Sequence, residues 1–119
     1  MRRDRDESGA ATAELAMALP LLVAVTVGLV WLLAVGAAQI RVVDAARETA
    51  RAAARGDSTD AAVARGVRVA PWGRVTVTVS GDRVRASASG RVAGPGGLFE
   101  FLPAVTVHAE AVAALEAAP

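Results

Sequence analysis

Leu15 to Ile40 reads LAMALPLLVAVTVGLVWLLAVGAAQI, 26 residues without one charged side chain. As a helix rising about 1.5 Å per residue it reaches ~39 Å, beyond the ~30 Å thickness of a bilayer's hydrocarbon. A helix in a soluble core leaves a polar stripe along one side, whereas here Leu19, Leu22, Val25, Leu29, Leu32 and Leu33, with their neighbours, point in every direction. The stretch therefore predicts a single-pass transmembrane helix, with a span of about 15–40. A cleaved secretory signal is the competing reading, with Arg2, Arg3 and Arg5 as a basic start and Gly36, Ala37 and Ala38 as a small-residue cleavage site. Against it, the run is longer than such segments, and Asp4, Asp6 and Glu7 dilute the basic start. Arg residues flank both ends, Arg2, Arg3 and Arg5 before and Arg41, Arg47, Arg51 and Arg55 after, so charge does not fix the orientation.

Composition limits what the rest of the 119 residues can be. A 54% apolar share with 3% aromatics suits one small domain beside one membrane segment. The formal net charge is only +1, a near balance rather than a cationic footprint, which argues against a nucleic-acid partner. Without cysteine there is no disulfide, thiolate metal site or cysteine nucleophile. His108 is the only histidine, with Glu110 its nearest companion, so neither a metal site nor any other cofactor is expected. Gly94-Pro95-Gly96-Gly97 lacks the Gly-Lys-Ser/Thr ending of a phosphate loop. Nothing resembles a nucleophile elbow, so an enzyme acting on a small-molecule substrate is not expected.

Beyond the apolar run, residues 41–55 contain no Gly or Pro and are rich in helix formers, so the helix continues as a stalk. Arg47, Arg51 and Arg55 share one face at i, i+4 spacing, a solvated face or a contact for an acidic partner. Arg41 with Asp44 and Glu48 with Arg51 are spaced to pair, and the opposite Ala and Val face is suited to pack on a sheet. Gly56 ends the stalk, and Asp57 or Ser58 caps a shorter helix through about Arg65. Alternation then predicts strands around Val75, Val77 and Val79, around Val84, Ala86 and Ala88, and around Val105, Val107, Ala109 and Ala111. Ser80-Gly81-Asp82 turns the first into the second. The expected fold class is α+β: a long N-terminal helix, a short helix and a small three-stranded antiparallel sheet. The loop before the last strand holds both phenylalanines, Phe99 and Phe101, either as a lid on a small core or as a patch for a partner or the membrane surface.

At the N-terminus, Ser8-Gly9-Ala10-Ala11-Thr12-Ala13-Glu14-Leu15 leads into the apolar run. Alone, Glu14 reads as an anion at the headgroup level near a helix N-terminus. A short charged leader ending in Gly, four small residues, Glu and a long apolar run together resemble the processing site of type IV-like prepilins. Adding Leu19-Pro20-Leu21-Leu22 and Asp44-Ala45-Ala46-Arg47-Glu48-Thr49-Ala50-Arg51, the chain resembles the TadE-like family of minor pilins or pseudopilins of tight-adherence pili over roughly residues 7–55.

The resemblance implies a leader 1–9, cleavage between Gly9 and Ala10 by a membrane-embedded prepilin peptidase, and a helix 10–55 carrying an external head 56–119. It implies that the freed Ala10 ammonium and Glu14 of a neighbouring subunit neutralise each other, since an unpaired charge in apolar surroundings is expensive. The implied partners are membrane lipid, other pilin or pseudopilin subunits, the peptidase and the pilus assembly platform. The leader would lie in the cytoplasm and the head outside the membrane. Pro20 is expected to kink or loosen the helix, and Ala24, Gly28 and Gly36 to offer a small-residue packing stripe interrupted by Leu32. Two other readings stay open: a membrane-anchored accessory module that keeps its leader, and a small secreted domain released near Ala37 to Gln39.

Overall fold

The computed structural model describes residues 2–96 and 100–117, without the side chain of Arg2. The molecule is 91 Å long and about 20 Å across, because α1 (Arg2–Ala54) runs almost its whole length. The remaining elements are α2 (Thr59–Val69), β1 (Arg74–Ser80), β2 (Arg83–Val92) and β3 (Val105–Ala114), the strands forming one antiparallel sheet in the order β1-β2-β3. This is the α+β arrangement expected from the sequence.

Helix α1 passes through Pro20 without a break. It ends where Gly56 takes a φ of +98°, with Gly56 N–H donating to Ala53 O and Asp57 N–H to Ala52 O, the paired bonds of a Schellman cap. Ser58 then caps α2, its hydroxyl accepting from Ala61 N–H at 3.2 Å. The helix runs on to Val69, past the expected stop near Arg65. Gly66 is costly for helix by about 1 kcal/mol, but it is the contact point with α1. A Cβ there would meet the Thr49 hydroxyl and stand 3.2 Å from Ala45 O and 2.9 Å from a Val75 methyl. Tertiary packing therefore outweighs local propensity, and the helix ends only where Pro71 disfavours helical backbone at Ala70.

The β1–β2 hairpin turns on Gly81-Asp82, with Gly81 at φ +61° in the first turn position, as a II′ turn requires. The register sets Val75 opposite Ala88 and Ala88 opposite Ala109, so one face of the sheet is small and apolar. That face lies on α1, where Val42, Ala45, Ala46, Thr49, Ala50 and Ala52–Ala54 are buried. Alanine brings helix and sheet close together, yet each methyl removes little area from water. A head this small, held mostly by alanine contacts, depends on its seat along the helix.

Two bonds fix how the sheet lies on that seat. Gln39 Nε2 donates to His108 O at 3.0 Å, and Glu116 N–H donates to Ala54 O at 3.0 Å. Strand β3 thus runs in the same direction as α1, and the sheet covers the helix from Ala38 to Ala54. Below that, Trp31 Nε1 donates to Ala93 O at 3.0 Å, pinning the loop after β2 against the apolar run. The opposite face of the sheet gathers Arg74, Arg83, Arg85 and Arg91 with the single carboxylate Glu110, a basic surface hidden in the overall charge balance. Arg85 and Glu110 pair at 3.0 Å, and Thr76 and Ser87 share a 2.7 Å hydrogen bond.

Candidate functional site

The residues singled out from the sequence are strung along α1 rather than gathered in a cleft. Gly9 and Ala10 are exposed, with nothing within 4 Å of where a Gly9 Cβ would stand. The Ser8 hydroxyl bonds back to Asp4 O and the Thr12 hydroxyl to Ser8 O, both at 2.9 Å. Gly, Ser and Thr are weak helix formers, and such back-bonding slightly weakens a helix, so residues 8–12 have low intrinsic helix preference. Glu14 is exposed one turn later, with no ion-pair partner among the described residues.

Past Glu14, Leu15, Leu19, Leu21, Leu22, Leu29, Leu32 and Leu33 are each more than half exposed. Ala24 and Gly28 are half-buried and Gly36 is exposed, with open space beside both glycines. An open apolar groove follows on one side, lined by Leu29, Leu32, Leu33, Gly36, Ala37 and Ile40. The helix is long and apolar enough to cross a membrane, and its most apolar window has no residue buried within the chain.

Arg47, Arg51 and Arg55 are exposed as a face of the stalk. Arg47 and Arg51 border the last residues of β3, Ala111–Ala114. Glu48 pairs with Arg65 of α2 at 3.7 Å rather than with Arg51, and Arg65 also binds Asp57 at 2.9 Å. Phe101, 80% exposed, belongs to the loop at the other end of the sheet. Phe99 lies outside the described residues. Among the described residues no three His, Asp or Glu side chains come together as a metal site would need.

What sequence reasoning missed are Trp31, Gln39 and Gly66, which fix where the head sits on the helix. The signal for Gly66 was its place inside an otherwise helical pattern.

Along one exposed rod the order is Gly9 and its small neighbours, the acid Glu14, the apolar run and the alanine seat. Residues 9–51 match the family model of TadE-like proteins. The matched segment begins at Gly9 and ends at Arg51, so it spans that order and leaves the charged residues before Gly9 and the whole sheet outside it. No curated protein and no solved structure matches the chain. TadE-like proteins are a pilus-associated structural family.

Proposed function

We propose that the chain is a structural subunit, a minor pilin or pseudopilin, or an assembly component of a tight-adherence pilus, cut after Gly9 and held in the membrane by α1. The carrying observation is that the TadE-like match coincides with an apolar rod whose large aliphatic side chains are nearly all exposed and whose most apolar window has no buried residue. Leucines exposed over a stretch this long are stable only when another apolar phase surrounds them. Before assembly that phase is lipid; afterwards it is the helices of like subunits. The leader 1–9 lies in the cytoplasm and the head 56–119 outside the membrane. The sheet itself begins on α1 at Ala38, so the embedded span is proposed to run from about Leu15 to about Val35, with the loop after β2 dipping beside it at Trp31. That length, at about 1.5 Å per residue, matches the hydrocarbon of a bilayer.

In this reading, cleavage frees the Ala10 ammonium, and the unpaired Glu14 of one subunit receives it from the next. Intact mass and N-terminal sequencing of protein from cells with and without the pilus peptidase test the proposal. A start at Ala10 that depends on the peptidase is expected, and replacing Gly9 with Leu blocks it. A start at Met1 in both strains assigns an accessory module that keeps its leader, and a start near Ala37 to Gln39 a secreted domain; either overturns the proposal.

A further inference from the structure

The chain has two tryptophans, and both belong to the same end of the head. Trp31 fixes that end to α1 through Ala93 O. Trp72 lies in the short link before β1, its ring filling the space that a Cβ on Gly90 would occupy. Gly90 pairs with Val107, next to the His108 carbonyl that Gln39 holds, so Trp72 sits at the end of the sheet nearest the apolar run. The ring is 42% exposed and borders a recess with Arg74, Ser89, Gly90, Arg91 and Thr106. Arg74 pairs with Ser89, and Arg91 projects from the same outward face two residues further along β2, whereas Gly90, on which the Trp72 ring lies, faces the α1 side, so the three residues meet only at this end of the sheet. No carboxylate lines the recess. Among the described residues Arg74 and Arg91 have no ion-pair partner, whereas Arg65 and Arg85 do.

The level of this recess follows from helix rise. From Glu14 to Trp31 is about 26 Å and from Glu14 to Gln39 about 38 Å. Hydrocarbon about 30 Å thick, within a bilayer of 40–45 Å including headgroups, then ends about one turn above Trp31. Its outer headgroup layer reaches about to Gln39, the level of Trp72, Arg74 and Arg91. Tryptophan favours this boundary, and guanidinium pairs with phosphate through parallel N–H bonds.

We propose that this end of the head is a second membrane contact, in which Trp72, Arg74 and Arg91 bind phosphate headgroups of the bilayer that α1 crosses. The occupant is phospholipid, because the recess is cationic and aromatic, lacks a carboxylate and lies where headgroups begin. Docking there holds the head against the bilayer until the subunit is extracted, and it opposes tilting of the rod. The inference rests on the membrane reading of α1, and the experiment separates the two.

The full chain is placed in lipid nanodiscs of phosphatidylcholine, with or without phosphatidylglycerol, containing lipid spin-labelled at the headgroup or deep in the acyl chain. Trp31→Phe leaves Trp72 as the sole fluorophore, and Trp72→Phe leaves Trp31. The headgroup label is expected to quench Trp72, more so with phosphatidylglycerol. Arg74→Gln and Arg91→Gln weaken docking by roughly fivefold each, without changing the quenching of Trp31. The chain carrying both tryptophans shows the same Arg-dependent loss, which guards against damage by Trp31→Phe. If acyl-chain label quenches Trp31 while headgroup label leaves Trp72 bright, the anchor stands and the second contact is overturned. If neither tryptophan is quenched, the anchoring reading itself has failed. Quenching of Trp72 that persists without both Arg residues overturns their assignment. Protection of Trp72 that follows protein density rather than lipid charge assigns the recess to a second copy and overturns the proposal.

Discussion

The two halves of α1 solve the burial problem in opposite ways. Between Leu15 and Val35 the helix carries large aliphatic side chains on all sides, nearly all of them exposed. From Ala38 to Ala54 it carries alanine on one side, buried under the sheet, and charges on the other. Large side chains hold a surface open for an external apolar partner, while small ones let the chain's own backbone come close. The same helical geometry thus presents an exposed apolar surface in one half and an intramolecular seat in the other.

A charge in the bare half strikes hardest. Val25 is exposed and lies outside the groove that receives Ala93 and Pro95. Val25→Lys replaces a favourable residue with one that costs about 2.5 to 3.5 kcal/mol near the middle of a membrane helix. The membrane-bound fraction after flotation is expected to fall sharply, while the melting of the head, followed in detergent, stays unchanged. A large drop in head melting would show that the halves are not separable.

The converse test lies in the covered half. Gly66→Ala pushes a methyl into the Thr49 hydroxyl and the Val75 side chain and to 3.2 Å from the Ala45 carbonyl oxygen. Overpacking of this kind costs about 1 to 3 kcal/mol, lowering the melting midpoint of a head this size by about 4 to 8 °C per kcal/mol. Membrane binding is expected to stay intact. If the head melts as before, α2 is free to move away and the tight crossing is not what seats it.

These contrasts also mark how far the sequence could be read. The bare half is legible from composition alone, because an uncharged run of that length has few physical uses. The strands are legible because Val75, Val77 and Val79 alternate with polar residues, and the turn because Gly81 supplies a positive φ. Where the sheet sits on the helix is not legible: alternation gives the apolar face of a strand but not which turns of a distant helix it covers. Glu48 is spaced to pair with Arg51, and only the α1–α2 crossing brings it to Arg65 instead. Arg74 and Arg91 meet at one recess through strand register, which no local spacing reveals. The proposal that Gly9, Ala10 and Glu14 serve processing rests on their combined pattern, since singly each has an ordinary explanation.

The smallest expected effect has the more instructive sign. Thr49 is fully buried, and its Oγ1 has no hydrogen-bond partner among the described residues. In a helix a threonine hydroxyl commonly bonds back to the carbonyl four residues earlier, here Ala45 O, but Gly66 of α2 packs against both groups. A buried hydroxyl left unpaired costs about 1 to 3 kcal/mol, and valine has nearly the same shape without that cost. Part of the gain is lost where the new methyl meets α2, so Thr49→Val is expected to stabilise the head by about 1 kcal/mol, raising its melting midpoint by about 4 to 8 °C. Thr49→Ser keeps the hydroxyl but removes a buried methyl, and it should lower the midpoint. If valine lowers it as well, the hydroxyl is satisfied in solution and the crossing is wet. The seat would then be held by a polar bridge instead of close alanine packing, and the contrast between the two halves of α1 would rest on hydration rather than on side-chain size.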